Sequence, residues 1–574
     1  MTTPLKVATV QFEPTMFEKE RNIARLLDMV AEAAAAGAKL IVTPEMGTTG
    51  YCWFDREEVA PFVEPIPGPT TERFAAVARA HGSYIVIGMP EVDPATNLYY
   101  NAAVLIGPEG VVGTHRKTHP YISEPKWSAP GDLGHQVFDT PIGRIAMLVC
   151  MDIHFVETAR LAGLGGADII CHISNWLAER TPAPYWITRA AENSCYLIEA
   201  NRWGLERTVQ FSGGSCVIGP DGAIEAVIDA GDGIAFAELD LQRARARRVL
   251  GEKVFEQRRP ELYMELATST YSWNPLDFFG LYGHRPLPPG RRSRIAVAQF
   301  APTGDVAANL ARIEQLAVQA SREDGAELVV FPERAITGLD APNAQRLDGP
   351  AVARLVALAT RHRLHIAAGL AEEDRDGTLY NSAVLVGPQG VVGSYRKLHL
   401  DASDHNWAKP GDRWGVFDTG FGRIGLLIGH DAAFPEAGRV LALRGCDLVL
   451  CLAALRGPLV AAHAGSKVPQ DYPIPTGATA HHWHLMRTRA GENNLYLAFA
   501  NILDEAAGYK GKSGVFGPDT FAFPRREAIL DGEEGSVTAE MDTTNLDTRY
   551  PTNVVRRKDL VAMRHPHHYR PLIA

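Results

Sequence analysis

A repeat that spans nearly the whole chain constrains this protein more than any other feature of its 574 residues. Residues 143–152 read GRIAMLVCMD and residues 422–431 read GRIGLLIGHD, and the two segments align without a gap. Other matched pairs are KVATVQF with RIAVAQF, GAKLIVTPE with GAELVVFPE, and RAAEN with RAGEN. A repeating unit of this size is a whole domain rather than a solenoid module. A chain of this length can bury two such cores.

The repeat predicts two domains, residues 1–263 and 294–574. Residues 264–293 between them are rich in Pro, Gly and aromatic side chains. Flexible tethers are Gly- and Ser-rich without aromatics, so we interpret this stretch as a packed linker.

Composition limits the classes of function. The chain is 46% hydrophobic with a net charge of −10, which predicts a soluble globular protein without the basic stripe that nucleic acid requires. We find no apolar run of membrane-spanning length and no signal-peptide pattern, so a cytoplasmic location is expected. The seven cysteines are few and odd in number, which argues against a disulfide framework. Cys-x-x-Cys and His-Glu-x-x-His spacings are missing, so no metal site is predicted.

The order of structural signals predicts the fold class. Short apolar runs such as residues 40–42 and 85–87 alternate with Ala-rich helical stretches such as residues 23–36. The Gly-Pro-Glu-Gly sequence at residues 107–110 predicts a hairpin turn. We therefore expect an α/β (α+β) chain in which each half holds two sheets with helices outside.

Three residues of the first half, Glu45, Lys117 and Cys150, lie where apolar strands end. Taken singly, a glutamate or lysine at a strand end is usually solvated, and a cysteine after apolar residues usually belongs to the core. The second half retains a glutamate and a lysine at the matching positions but has Gly429 in place of Cys150. Because glycine offers no nucleophile, the second half is predicted to be an inactive copy.

The flanking residues carry a family resemblance. The motifs are Pro44-Glu45 followed by Gly50-Tyr51, Arg116-Lys117-x-His119, and Cys150-x-Asp152. Each half resembles the nitrilase superfamily, carbon–nitrogen hydrolases with a Glu–Lys–Cys triad. The resemblance implies that Cys150 is the nucleophile, Glu45 its base and Lys117 the stabiliser of the oxyanion, with Glu124 as a further family glutamate.

The resemblance also bears on architecture. It implies that each half is an α-β-β-α sandwich, and that the two halves pack as an internal pseudo-dimer like the paired subunits of the family. Further assembly into a homo-oligomer stays open.

The chemistry of a thiol supports the same roles. A free thiol is mostly protonated at neutral pH and needs a base or a cation nearby. Glu45 can take the proton, and Lys117 is expected to lower the pKa of the Cys150 thiol and to meet the oxyanion. The backbone N–H of Met151 is the natural second oxyanion donor. This mechanism needs no metal and no organic cofactor.

Substrate class is read from the residues after the nucleophile. In the resemblance, true nitrilases carry Trp-Glu there, so Met151-Asp152 favours a small amide or ureido (N-carbamoyl) compound. Tyr51, Asn175 and Trp176 are candidate pocket residues, although Trp176, like Trp53, would serve equally well in the core. The alternatives are a nitrilase, a glutaminase-type ammonia supplier to a synthetase, and a non-catalytic scaffold.

The second half differs at more than the nucleophile. Asp404 replaces Glu124, and an insertion lies near residues 456–479, where a solvated surface loop is favoured over one that reaches the first-half site. Cys446 and Cys451 are aligned with Ala167 and Cys171, so neither replaces the nucleophile.

Overall fold

The computed structural model describes residues 4–121, 123–177, 181–270, 286–339, 343–457, 465–468, 483–519, 527–544 and 554–574. These form two compact units. Unit 1 comprises residues 1–249, 460–480 and 567–572, and unit 2 comprises residues 250–459, 481–566 and 573–574. The predicted domain boundaries stay predictions, and residues 271–285 of the predicted linker lie outside the described residues.

Unit 1 contains fourteen strands among its described residues. They are β1 (Leu5–Gln11), β2 (Leu40–Val42), β3 (Tyr84–Val92), β4 (Tyr99–Gly107), β5 (Gly110–Arg116), β6 (Val137–Thr140), β7 (Gly143–Val149), β8 (Ile169–Ser174), β9 (Tyr196–Asn201), β10 (Trp203–Glu206), β11 (Val209–Ser212), β12 (Cys216–Ile218), β13 (Ile224–Val227) and β14 (Gly233–Leu239). The helices are α1 (Lys19–Ala35), α2 (Arg56–Val59), α3 (Pro69–His81), α4 (Val156–Leu164), α5 (Pro184–Asn193) and α6 (Leu241–Arg245).

Twelve strands of unit 1 build two six-stranded sheets, in the orders β14-β1-β2-β3-β4-β5 and β13-β12-β9-β8-β7-β6, and β10 pairs with β11 in a separate two-stranded sheet. The central strands β1, β2 and β3 run parallel, as do β7, β8 and β9, and the outer pairs are antiparallel. The predicted hairpin at residues 107–110 joins β4 and β5. Parallel central strands bring their carboxyl ends to one edge, where ligands of such sheets usually bind.

The side chains of each strand alternate between two cores. Val7, Leu40 and Val149 belong to the core between the two sheets. Ala8 and Ile41 face the other way and pack against α1 and α3, through residues such as Ile23, Leu26 and Phe74. The outer face of the second sheet packs against α4 and α5, through residues such as Ala159, Ala162 and Trp186. Four layers result, so the predicted α-β-β-α sandwich is confirmed.

Unit 2 repeats this plan. Its strands are β15 (Arg292–Gln299), β16 (Leu328–Val330), β17 (His365–Glu373), β18 (Leu379–Gly387), β19 (Gly390–Arg396), β20 (Gly415–Thr419), β21 (Gly422–Ile428), β22 (Leu448–Ala453), β23 (Tyr496–Asn501), β24 (Leu503–Asp504), β25 (Tyr509–Lys510), β26 (Gly514–Phe516), β27 (Glu527–Ile529) and β28 (Gly535–Asp542). Its helices are α7 (Val306–Asp324), α8 (Pro350–His362), α9 (Pro435–Leu443), α10 (His484–Glu492) and α11 (Asp559–Ala562). The sheet orders are β19-β18-β17-β16-β15-β28 and β20-β21-β22-β23-β26-β27.

Part of the second-half insertion belongs to unit 1. Ser466 is 2% exposed and Val468 is 1% exposed. The backbone N–H of Ser466 donates to the carbonyl of Thr181 at 2.7 Å, and its hydroxyl donates to the carbonyl of Ser212 at 2.6 Å. The expectation of a solvated loop was therefore wrong at these residues. Composition cannot show that a polar segment finds buried carbonyls to bind. The flanking residues 458–464 and 469–482 lie outside the described part of the chain.

None of the helices in the described part of the chain is both long and apolar enough to cross a bilayer.

Candidate active site

Glu45 is positioned by a turn that follows β2. Met46, the next residue, has a φ of 51°, and Gly88 of β3 runs directly beneath the turn. A Cβ built on Gly88 would lie 2.7 Å from Glu45 Cα and 2.5 Å from the carbonyl of Pro44. Glycine is therefore required at this position, because any side chain would push the turn and its carboxylate away from the sheet edge.

Lys117 follows β5 and meets two carboxylates. Its Nζ lies 2.9 Å from Glu45 Oε1 and 2.9 Å from Glu124 Oε1, and all three side chains are fully buried. Asn101 of β4 donates its amide to the same two oxygens at 2.7 and 2.8 Å. Asn101 was not predicted, although its retention as Asn381 in the second copy was a signal for it. The four side chains form one polar cluster in an otherwise apolar core.

The charges within this cluster keep Lys117 protonated between the carboxyl groups of Glu45 and Glu124. Burial lowers the pKa of Lys117, but the charges of Glu124 and Glu45 outweigh burial and raise it well above its ordinary value. Burial raises the pKa of Glu124 to about 7, against the opposing charge of Lys117. Lys117 is therefore a stable ammonium at neutral pH, which is the form that can stabilise an oxyanion.

Cys150 begins a 3₁₀ turn, residues 150–154, directly after β7. Its φ of 45° lies in the left-handed region, where few residues other than glycine are found. Such strain is often retained at functional sites, since it turns a side chain away from the strand direction. The side chain is 6% exposed.

The pKa of the Cys150 thiol differs from the expectation. Burial raises it well above its ordinary value and the charge of Glu45 raises it further, whereas the charge of Lys117 and the backbone N–H of Asn175 lower it without compensating. The resting sulfur is a thiol, so attack requires a base. Glu45 Oε2 has no hydrogen-bond partner among the described residues and is the acceptor available for that proton.

Asp152 ties the lysine loop to the cysteine turn. Its Oδ1 accepts the backbone N–H groups of Thr118 and His119 at 3.1 and 3.0 Å. Its Oδ2 accepts His115 Nε2 at 2.8 Å and the backbone N–H of Val149 at 3.1 Å. A fully buried carboxylate needs such a set of donors. Asp152 therefore fixes the residues after Lys117 against the residue before Cys150.

Three of the predicted pocket residues have unused polar groups. The Tyr51 hydroxyl, both side-chain polar atoms of Asn175, and Trp176 Nε1 are buried without a partner in the described part of the protein. Burial raises the pKa of Tyr51, and the charges of Glu124, Glu45 and Cys150 add to it, which places this hydroxyl near the triad. Met151 is 2% exposed within the 3₁₀ turn. Buried polar atoms without protein partners are expected where a polar ligand or water binds.

Two tryptophans and one arginine near these residues contact other side chains or carbonyl groups of the protein. Trp53 is 1% exposed, donates Nε1 to the carbonyl of Gly50 at 3.0 Å, and packs on Phe62 with ring centroids 5.0 Å apart. Trp176 stacks on His154 at 4.8 Å. Arg202 donates to Glu206 at 2.5 Å, so its charge is already compensated within the protein.

A second group of polar side chains, behind Cys150, was not predicted from the sequence. Nε2 of His172, in β8, lies 3.0 Å from the carbonyl oxygen of Cys150. Its Nδ1 makes a short hydrogen bond to Glu199 of β9, and the Ser174 hydroxyl donates to the other oxygen of Glu199. His172, Ser174 and Glu199 are all fully buried.

The second half keeps the triad's framework but fills the site with its own side chain. Lys397 Nζ lies 2.9 Å from Glu333 Oε1 and 2.6 Å from Asp404 Oδ2. A Cβ built on Gly429 would lie 2.3 Å from Glu333 Oε2. That oxygen accepts the backbone N–H of Ala454 at 3.0 Å. The glutamate thus occupies the space of the missing cysteine.

Glu333, Asp401 and Asp404 are close enough together to hold a metal ion. Lys397 Nζ contacts all three, including Asp401 at 2.7 Å. An ammonium at the centre of the cluster already neutralises these carboxylates, and its charge disfavours a cation there.

Strand register corrects one alignment. Met147 pairs with Cys171 in the first half, and the matching Leu426 pairs with Leu450. Cys171 therefore corresponds to Leu450, and Cys451 corresponds to His172 rather than to Cys171 as predicted. The prediction matched two cysteines by identity and slipped by one residue, which in a strand exchanges the two faces.

Comparison with known proteins agrees with this architecture. The carbon–nitrogen hydrolase family model matches residues 6–249 and 294–543. A nitrilase of Pyrococcus abyssi is 37% identical over 262 residues, which are 45% of this chain and 99% of the relative. An N-carbamoylputrescine amidase of Solanum lycopersicum is 30% identical over 287 residues, covering 46% of this chain and 94% of that protein.

Two further relatives are amidases. An omega-amidase of Homo sapiens is 27% identical over 277 residues, which are 46% of this chain and 97% of the relative. The crystal structure of an amidase from Nesterenkonia sp. is 25% identical, covers 43% of this chain and 95% of its own, and gives a TM-score of 0.38. Each relative corresponds to about half of this chain. The chain belongs to the carbon–nitrogen hydrolase family and carries its domain twice.

Proposed function

We propose that the first half hydrolyses the C–N bond of a small linear amide or N-carbamoyl compound, through a thioester on Cys150, and releases ammonia or an amine. The observation that carries the proposal is the fully buried Glu45–Lys117 contact of 2.9 Å beside a strained cysteine. It supplies a base, a cation and a nucleophile in one cluster.

The first step is attack of the Cys150 sulfur on the carbonyl carbon while the thiol proton passes to Glu45 Oε2. The carbonyl oxygen becomes an oxyanion, which Lys117 Nζ and the backbone N–H of Met151 stabilise. Collapse of this adduct breaks the C–N bond, and the leaving nitrogen takes the proton from Glu45. A thioester on Cys150 and a free amine or ammonia result.

The second step is hydrolysis of the thioester. Glu45 removes a proton from water as the water oxygen attacks the thioester carbon. The same two donors stabilise the second oxyanion. Collapse releases the carboxylic or carbamic acid, and the proton returns from Glu45 to the sulfur.

Substrate class rests on the pocket and on the relatives. The unpartnered hydroxyl of Tyr51 and amide of Asn175 offer both donors and acceptors, which suits the amide or ureido head of a small molecule. Two of the relatives are an omega-amidase and an N-carbamoylputrescine amidase. The closed, fully buried triad favours a compact substrate.

A nitrile is the second candidate, because the Pyrococcus abyssi relative is a nitrilase. The same sulfur would add to the nitrile carbon. The glutaminase-type alternative is less favoured. It requires an ATP-binding synthetase domain, whereas the second half matches the hydrolase family model.

The test is product release over a panel of primary amides, N-carbamoyl amines and acids, and nitriles, with ammonia and the acid product both measured. We expect turnover of amides or N-carbamoyl compounds that disappears in Cys150→Ala. Turnover of nitriles alone would select the second candidate. Turnover that survives in a folded Cys150→Ala protein would overturn the mechanism.

A further inference from the structure

The cysteine turn contains a peptide group whose two ends point in opposite directions. The Cys150–Met151 peptide is trans, so the Cys150 carbonyl and the Met151 N–H are antiparallel. A contact that fixes the direction of the carbonyl group therefore also fixes the direction of the N–H group. In this protein the carbonyl accepts a hydrogen bond from His172 Nε2 at 3.0 Å.

The protonation of His172 follows from its partners. A carbonyl oxygen can only accept, so Nε2 must carry a hydrogen. Burial lowers the pKa of His172, but the charge and hydrogen bond of Glu199 outweigh burial and raise it. Burial raises the pKa of Glu199 in turn. The hydrogen bond between Nδ1 and the Glu199 carboxyl group fixes the imidazole tautomer and orientation, as carboxylates do for other functional histidines.

The second half provides an internal comparison. Strand pairing places Cys451 and Phe499 at the positions of His172 and Glu199, and Ala453 at the position of Ser174. All three polar groups are thus absent from the copy that lacks the nucleophile. The turn is nevertheless kept in the second half, as the φ of 41° at Gly429 shows.

Two other buried polar contacts follow a different pattern. Asp431 accepts from His399 as Asp152 does from His119, and Arg489 pairs with Glu492 as Arg189 does with Glu192. Both contacts are retained in both halves. The His172–Glu199 pair, unlike these two contacts, is present only in the half that carries Cys150.

From this geometry we infer that His172 and Glu199 are positioning residues for the oxyanion hole: they hold the Cys150 carbonyl so that the Met151 N–H faces the substrate oxygen. The inference rests on the proposed function. His172 touches neither the substrate nor the sulfur in this role, and acts through the peptide group. The oxyanion is stabilised mainly in the transition state, so the effect belongs to kcat rather than to KM.

The experiment uses the full chain and three variants. Glu199→Gln keeps the size of the side chain and removes its charge, His172→Gln removes the imidazole, and the double variant His172→Cys with Glu199→Phe copies the packing of the second half. Cys171→Ala, in the same strand but without a bond to the turn, controls for a disturbed core. Circular dichroism and thermal melting establish which variants fold.

Two rates separate positioning of the oxyanion donor from loss of the nucleophile. Amide turnover builds an oxyanion, whereas alkylation of Cys150 by iodoacetamide displaces iodide and builds none. We expect kcat to fall about tenfold or more, since removing one oxyanion donor costs on the order of 10²–10³, with KM and the alkylation rate changed by less than about threefold. Cys171→Ala should keep the wild-type kcat.

Unchanged kcat in the folded variants would overturn the inference. A parallel fall of kcat and alkylation would also overturn it, because His172 would then act on the sulfur itself. Failure of the proposed function has a different signature, since wild-type protein would then hydrolyse no member of the substrate panel.

Discussion

Glu333 Oε2 accepts a 3.0 Å hydrogen bond from the backbone N–H of Ala454, and Ala454 stands where Asn175 does in the first half. In the first half the corresponding N–H, that of Asn175, lowers the pKa of the Cys150 thiol. In the second half a carboxylate of the protein itself accepts from this N–H. The second copy therefore lacks the cysteine, and the side chain of Glu333 fills the space that the cysteine would need.

Gly429→Cys is therefore expected to restore no activity to the second half. The new Cβ would lie 2.3 Å from Glu333 Oε2, and the backbone N–H of Ala454 already holds that oxygen in place. The measurement is amide turnover in a Cys150→Ala background, with mass spectrometry to follow alkylation of residue 429. Turnover above the Cys150→Ala baseline would show that the second-half site can reopen.

Cys150→Ala should abolish turnover and leave the fold intact. Loss of the nucleophile typically costs on the order of 10⁴-fold or more in kcat, while the turn conformation needs only the backbone. Cys52→Ala is the control, because Cys52 lies outside the cluster and is only partly buried. Equal activity in the two folded variants would remove Cys150 from the mechanism.

Lys117→Met and Lys397→Met form a matched pair. Both ammonium groups are fully buried beside a glutamate at 2.9 Å, so breaking either should cost about 3–5 kcal/mol of stability. Only Lys117→Met should lower kcat, on the order of 10²–10³-fold for loss of an oxyanion partner. Melting temperature and initial rate measured together check this. A rate loss in Lys397→Met at normal stability would assign chemistry to the second half.

The motif residues could be predicted from the sequence because each follows an apolar strand and lies in a recognisable local pattern. Asn101, His172 and Glu199 could not, because their partners lie on neighbouring strands far away in the sequence. A polar residue inside an apolar strand does not reveal which residue faces it until the register is known. The misaligned Cys451 has the same origin, as does the failure to predict the contacts of Ser466.

The titration of Glu124 should make the stability of the folded protein depend on pH. Its pKa is raised to about 7 from an ordinary 4.5, so between these values the folded protein holds a proton that the unfolded chain releases. The protonated Glu124 therefore contributes up to about 3 kcal/mol to the free energy of unfolding. This contribution is complete below pH 4.5 and is lost as the pH rises through 7. Glu124→Gln, which stays neutral, should weaken this decline.

Urea unfolding between pH 5 and pH 8 measures the effect. Glu333, whose pKa burial also raises to about 7, contributes a second decline of the same sign. The double variant with Glu333→Gln should therefore have the flattest profile. Profiles that match the wild type in both variants would show that neither carboxyl group titrates in this range.

The segments that belong to unit 1 have a consequence for biosynthesis. Residues 465–468 and 567–572 join unit 1, although most of that unit ends at residue 249. A ribosome adds roughly 5–20 residues per second, so it needs on the order of tens of seconds to travel from one to the other. Throughout that interval the nascent first half lacks the buried contacts of Ser466 and Leu572. Residues 250–459 and 481–566 of unit 2 are therefore synthesised before residues 567–572 can join the unit that carries Cys150.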